Sequence, residues 1–411
     1  MILYAILILL GLCGIFLLAR GAERRLVVGA VVVRVAMGML VWPFLVAKEG
    51  TFVTTNVFLS DDFKYFQAGC QFLSEGTLFV TMESLGIEVN PGFPYLVGAL
   101  FLFFGKVWFI PNGISFLAGA LLPVLVSRLA LSLGLEKKKA HAAGWLMVLL
   151  PSAAFFSVVG YKDMLILCVV TSLFWWLVSV TRESFRIMHM VGVAIMCAAL
   201  AFLRVGALPL VVFSYAAIAI RVQTIRRSII PVALLLVGVV PFFAWLESTQ
   251  FLDRFTLEEI TSTARSGEGM ASTILTGGLS TWPLRAALFL ILPYPSLTGI
   301  EDAWQLYTWL NLGWYVLLCL ALPGVLLLVR DARDSNNRFL LLPLAWSAAI
   351  VLSLMVRGIP NSRYVLMVYP AVAIMAAYTV TSRRAMVTAL ALIGIAPILM
   401  FGGYALLRSV L

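Results

Sequence analysis

Charge is what this chain has least of. Only 12% of its 411 residues are Asp, Glu, Lys or Arg, against about a quarter in a soluble domain. Histidine is nearly absent, with His141 and His189 alone. The five cysteines at 13, 70, 168, 197 and 319 form no CxxC. That scarcity of imidazole and paired thiols excludes a zinc site of the usual kind. No low-complexity tract and no polar stretch of domain size interrupts the chain. The net charge of +10 comes from Lys and Arg in short loops, with no basic face carrying interleaved aromatics, which excludes nucleic-acid binding. Residues 1–19 have no basic leader and are followed by Arg20, Arg24 and Arg25, so they read as an uncleaved first span.

Apolar residues fill the space that charge leaves. They make up 62% of the chain, and the mean hydropathy is +1.04. The expected fold class is therefore all-α: a polytopic transmembrane helical bundle of about 12–14 spans, forming a single integral membrane domain over 1–411. Candidate spans are 1–19, 26–47, 92–110, 112–134, 141–159, 164–181, 188–204, 206–220, 229–247, 283–299, 307–329, 338–356, 365–381 and 385–407. Basic loops at 20–25, 137–139, 182–186, 221–227, 330–338 and 383–384 are expected on the cytoplasmic side. Segments 48–91, 160–163, 248–281 and 357–364 then face outward. An outward 48–91 and an inward 137–139 need an odd number of crossings between them, yet two apolar segments lie there. One of the pair is expected to be re-entrant, or a third short crossing is hidden.

The outer segments carry the candidate chemistry. Asp61 and Asp62 open the first polar, acidic and aromatic stretch of the chain. Two adjacent carboxylates repel each other, and one can serve as general base while a cation holds the other; capping a helix is the plainer alternative. Phe63, Phe66, Cys70 and Leu73 recur at helical spacing, with Lys64, Tyr65, Gln67 and Gln71 opposite, which predicts an interfacial helix on the bilayer surface. Lys162-Asp163 sits in a very short turn between apolar runs, either as a loop ion pair or as a contact for an anionic head group. Arg357 and Arg363, with Tyr364, frame an outward turn, and a guanidinium fork matches phosphate. Arg265 lies in the Gly-rich 248–281 loop, a candidate lid. Arg34, Arg204 and Arg285 are cations inside or at the ends of apolar runs, where function and snorkelling compete. Seven Trp and Tyr residues between 282 and 315 read as an interfacial belt, or less simply as a sugar-stacking platform.

These residues resemble a family. Asp61-Asp62-Phe63-Lys64-Tyr65 with Ala68 and Gly76 is similar to the DExxY…A…G run opening the first outer loop of GT-C-fold glycosyltransferases. That superfamily holds the protein O-mannosyltransferases, lipid A aminoarabinose transferases and bacterial exopolysaccharide transferases. Asn90-Pro91-Gly92-Phe93-Pro94-Tyr95 and Phe103-Phe104-Gly105 are similar to its PPLY-like and FFxxFG elements. The runs ending in Lys162-Asp163 and beginning at Ser362-Arg363-Tyr364 resemble two further elements. The resemblance implies sugar transfer from a polyprenyl-phosphate carrier to a glycan, lipid or protein acceptor. The site would face the periplasm or cell exterior from the plasma membrane, with Asp61 as base and Lys162 and Arg363 at the phosphate. It implies no cofactor, and there is no DxD for a metal. The chain departs from the pattern in having two spans before the catalytic loop. Two other readings stand beside it: an O-antigen or exopolysaccharide polymerase or ligase with a lipid-pyrophosphate donor, centred on Arg265, and a lipid-linked sugar transporter or flippase.

Overall fold

A computed structural model describes residues 2–48, 51–54, 61–77, 92–107, 109–182, 187–204, 206–219, 300, 303–335, 337–357 and 365–395. The expected spans 229–247 and 283–299 and the 248–281 loop, with Arg265 and Arg285, lie outside these residues. So do Arg363 and Tyr364. The chain is a multi-pass helical membrane protein. Among the described residues four helices are long and apolar enough to cross a bilayer: Ala22–Phe44, Ile110–Ser132, Asp163–Arg182 and Gln305–Asp334. A fifth is made if the bent pair described below counts as one.

Two compact units, each discontinuous in sequence, make up the chain: Met1–Trp176, Ile195–Ala207 and Pro295–Trp314 form the first, the remainder the second. The first begins with α1 (Ile2–Leu18) and α2 (Ala22–Val41), then β1 (Leu45–Lys48) and β2 (Thr51–Thr54). The two strands pair antiparallel with Val46 opposite Val53, so the end of the expected 26–47 span leaves the helix for a strand. Next come α3 (Asp61–Glu75), α4 (Gly92–Phe104), α5 (Ile110–Ser132), α6 (Lys137–Leu149) and α7 (Pro151–Val158). The 141–159 run is thus not one straight span. Leu150 takes an extended conformation, Pro151 starts a new helix, and α6 and α7 meet at 58°. A proline inside a helix removes one hydrogen bond and clashes with the preceding turn, while at N1 it is tolerated.

Small residues let the first unit close. Ile15, Ala19, Leu26, Val27, Ala30, Ala120, Val124 and Val148 bury a seam between α1, α2, α5 and α6. Lipid tails are as apolar as leucine, so helices in a bilayer associate through close backbone approach and polar clasps. One such clasp is bidentate: Arg128 on α5 donates Nε to Glu23 at 3.0 Å and Nη2 at 2.8 Å. Its Nη2 also donates to the Leu18 carbonyl at 2.6 Å, and the guanidinium lies 5.6 Å over the Trp175 ring.

Helix α3 differs from the expected surface helix in which side it buries. Tyr65, Phe66, Ala68 and Phe72 are at most 4% exposed, while Phe63 and Leu73 are only partly covered. The reason is that α4, not lipid, is the main partner. Phe66 meets Phe101 edge-on at 5.6 Å, and Phe72 packs on Tyr95 at 5.1 Å. Glycines 69 and 98 permit the approach: a Cβ on Gly69 would fall 2.9 Å from Val97, and one on Gly98 would press into the Phe72 ring. Gly76 and Gly105 end the two helices with φ of 65° and 76°, a conformation costly for residues with a Cβ. At 13 residues α4 rises about 20 Å, short of a roughly 30 Å hydrocarbon core.

Helix α8 (Asp163–Arg182) and α9 (Ile187–Arg204) follow. Then come α10 (Ala207–Ala219), α11 (Ala303–Leu310), α12 (Leu312–Asp334), α13 (Leu342–Arg357) and α14 (Tyr369–Val380). Within the second unit the hydroxyls of Thr181 and Tyr215 hydrogen-bond, and Gly324 on α12 seats against the Met375 backbone of α14.

The glycine contact gives a direct test. Gly98→Ala should destabilise the protein by about 1–3 kcal/mol through overpacking against Phe72. Gly14→Ala on α1, with no heavy atom within 4 Å of the added methyl, should be neutral or mildly stabilising. Thermal melting of the two variants in detergent checks the contrast.

Candidate active site

Four elements of the first unit converge near the start of α3. The Lys162 ammonium lies 5.7 Å over the Tyr65 ring, a cation–π contact between the α7–α8 turn and α3. Tyr65 in turn meets Phe93, in the first turn of α4, edge-on at 4.9 Å. Tyr95 of the same turn packs on Phe202 in the last turn of α9 at 5.7 Å. A Cβ on Gly92 would stand 2.6 Å from the Phe202 carbonyl oxygen, so that position of the PGFPY segment has room only for hydrogen. Three of the segments that resembled one family in sequence, those of Tyr65, Phe93 and Lys162, are neighbours in space.

The turn carrying Lys162 is held from below. Asn112 on α5 donates its side-chain amide to the Val158 carbonyl at 2.8 Å, and the Ser115 hydroxyl donates to the Tyr161 carbonyl at 2.5 Å. Val158 is the last residue of α7, and Tyr161 lies between α7 and α8. Without those donors the carbonyls would be stranded in an apolar medium, at a cost of several kcal/mol each.

Asp163 opens α8 and is only 3% exposed. Its Oδ1 accepts from Arg204 Nη1 at 3.4 Å, joining the first turn of α8 to the last residue of α9. The pair is aligned with both helix dipoles, an acid at an N-terminus and a cation at a C-terminus. Sequence reading weighed Asp163 with its neighbour Lys162 and Arg204 with snorkelling; the structure joins Asp163 to Arg204 and turns Lys162 towards Tyr65. Arg204 is the residue whose part was missed. The signal for it was a lone cation closing an apolar helix.

The remaining expected residues are placed unevenly. Asp61 and Asp62 are the first two residues of α3, their side chains outside the described set. Lys64 is exposed on α3, and Tyr65 is 4% exposed on the opposite, buried side. Arg357 ends α13 in the second unit, its side chain also outside the described set. Among the described residues no three His, Cys, Asp or Glu side chains come together as metal ligands do. Of the aromatics read as a belt, Tyr307 and Trp314 are fully buried and Tyr315 nearly so. Tyr307 packs on Phe155 and Phe156 at 5.4 and 5.0 Å, so this part of the run is protein core.

Arg34 lies deep in α2 and is 0% exposed. Its Nη1 donates to Ala30 at 3.2 Å, whereas Nε and Nη2 have no hydrogen-bond partner among the described residues. It borders, with Asn112, an otherwise apolar cavity of about 340 Å³ against α1, α2 and α5.

Removing Arg204 takes a guanidinium away from a buried carboxylate. Arg204→Met should cost about 3–5 kcal/mol, and adding Asp163→Asn should recover most of that loss. Chemical denaturation of the single and double variants measures both.

No family model and no curated protein sequence matches the chain. Solved structures do. The Archaeoglobus fulgidus oligosaccharyltransferase in its apo form superposes with a TM-score of 0.53 at 12% identity, over 87% of this chain and 50% of that one. ArnT from Cupriavidus metallidurans bound to undecaprenyl phosphate gives 0.53 at 19% identity, over 90% and 63%. The archaeal oligosaccharyltransferase AglB from Archaeoglobus fulgidus, in complex with an inhibitory peptide and a dolichol-phosphate, gives 0.52 at 14%, over 95% and 52%. The chain spans between half and two thirds of the length of these proteins. Its fold is the GT-C fold that these proteins share.

Proposed function

We propose that the protein is a membrane glycosyltransferase that moves a sugar from a polyprenyl-phosphate carrier to a glycan, lipid or protein acceptor at the outer membrane face. One observation carries the assignment to this site. The helix that Asp61 opens and the turn that presents Lys162 meet through Tyr65, a single helical turn (about 6 Å) after Asp61. A carboxylate one helical turn from the ring that contacts an ammonium would suit a displacement in which one end must lose a proton and the other must gain negative charge.

In the reaction so assigned, the acceptor hydroxyl gives its proton to the Asp61 carboxylate. The oxygen attacks the anomeric carbon, and the carbon–oxygen bond to the lipid phosphate breaks with inversion. The departing phosphate is met by the Lys162 ammonium, whose position is fixed by Tyr65 and by the Asn112 and Ser115 bonds to its turn. Activation resides in the phosphate ester of the carrier, so no nucleotide is required at the outer face. The fold supports the reading, because the proteins sharing it include one bound to undecaprenyl phosphate and one in complex with dolichol-phosphate.

Asp61→Asn should lower kcat by about 10²–10⁴-fold while leaving the melting temperature unchanged. Lys162→Gln should mainly raise KM for the lipid donor, by about tenfold for a lost charge-assisted phosphate contact. Both are read from transfer of a labelled sugar out of a synthetic polyprenyl-phosphate donor by protein in proteoliposomes. Undiminished turnover by Asp61→Asn, together with loss on Arg265→Ala, would move the chemistry to the 248–281 loop and favour a polymerase or ligase. Gradient-driven uptake without covalent product would favour a transporter.

A further inference from the structure

The hairpin of α1 and α2 carries an apolar groove and a charge imbalance at the same end. Leu12, Cys13, Phe16 and Leu17 of α1 face Val27, Val28, Val31 and Val32 of α2 across a groove of about 430 Å³. Leu17, Val28 and Val32 are 74%, 52% and 61% exposed, so no described element covers the groove. At the turn closing the hairpin stand three exposed arginines, Arg20, Arg24 and Arg25. Arg24 is at the groove mouth: its guanidinium lies 5.1 Å over the ring of Phe16, a groove-lining residue, while its Nε donates to Ala19 at 3.3 Å. Arg24 and Arg25 sit one helical turn before Val28, on the side of α2 that continues into the groove.

Nothing on the hairpin neutralises these cations. Glu23 is the sole acid between residues 1 and 44. Its carboxylate is already held by the Arg128 fork and by the Arg20 backbone N–H at 2.9 Å. Arg24 thus stands at the mouth of an apolar channel that no described element covers, with Arg20 and Arg25 exposed in the same turn.

We infer that this hairpin is a binding site for an anionic phospholipid, one acyl chain lying in the groove and the phosphate held by Arg20, Arg24 and Arg25. Charge complementarity decides the occupant. An acyl chain leaving the bilayer for an apolar groove exchanges one hydrocarbon surface for another, so the groove alone does not tell one lipid from another. Discrimination comes from the turn, where each arginine favours a negative head group over a zwitterionic one. The site lies at the opposite end of α2 from the turn that leads to α3, and it takes no part in sugar transfer.

The test uses the full-length protein in phosphatidylcholine nanodiscs. They are doped at equal mole fraction with a phosphatidylglycerol or a phosphatidylcholine probe bearing a diazirine in the acyl chain. After irradiation, adducts on the 12–32 segment are counted by mass spectrometry. The phosphatidylglycerol probe should label this segment about tenfold more than the phosphatidylcholine probe. R20Q/R24Q/R25Q should lower it to the phosphatidylcholine level with an unchanged melting temperature. Val28→Trp, which fills the groove and keeps all three charges, should abolish labelling of the segment by both probes. Equal labelling by the two probes, or undiminished labelling of the triple variant, overturns the proposal. Cross-linking of Cys13 between two copies with exclusion of both probes also overturns it and gives the groove to a second copy of the chain.

Discussion

A break between two buried helices exposes carbonyl oxygens that apolar side chains cannot solvate, and the candidate site is built on the repair of one such break. Between α7 and α8 the chain leaves helical geometry for a few residues, and its carbonyls are taken up by Asn112 and Ser115 of α5. The first side chain of α8, Asp163, is fastened to the end of α9. Four elements thereby become a rigid mount for Lys162. Loosening any one of them would free the turn to reseal its own hydrogen bonds, and the ammonium would leave Tyr65. The need to satisfy backbone groups and the need to aim a cation have the same solution.

Packing on the other side of the site follows the same economy. Helix α3 is amphipathic enough to lie on a membrane surface, yet it spends its aromatic side on α4. Glycines 69 and 98 remove the bulk that would hold the two apart. The packing of α3 on α4 thus fixes the direction of the helix that Asp61 and Asp62 begin. A pair of carboxylates is then left at a helix N-terminus, where free N–H groups and the dipole favour the ionised form.

Much of this was readable from one-dimensional pattern, and the failures have physical causes. Long apolar runs announced the spans, and capping chemistry placed Asp61 at the head of α3. The side that α3 buries was misread because periodicity shows that a face is apolar, not whether lipid or protein covers it. The same ambiguity made Tyr307, Trp314 and Tyr315 look like a belt when they are core. Asp163 and Arg204 lie 41 residues apart, and no local rule pairs them. Arg34 stood out at once as an intramembrane cation, but the absence of described partners for two of its nitrogens is a three-dimensional fact. The 141–159 run read as a single span, and the 58° bend at Pro151 depends on what α6 and α7 pack against.

The clasp between Glu23 and Arg128 joins groups 105 residues apart. A ribosome extends this chain from the amino end, so α1 and α2 are made while that carboxylate has the nearby Arg20 N–H to accept from, and the Arg128 fork follows once α5 has been synthesised. The α1–α2 hairpin is therefore a provisional structure during biogenesis, and the arrival of a single guanidinium on the fifth helix makes it permanent.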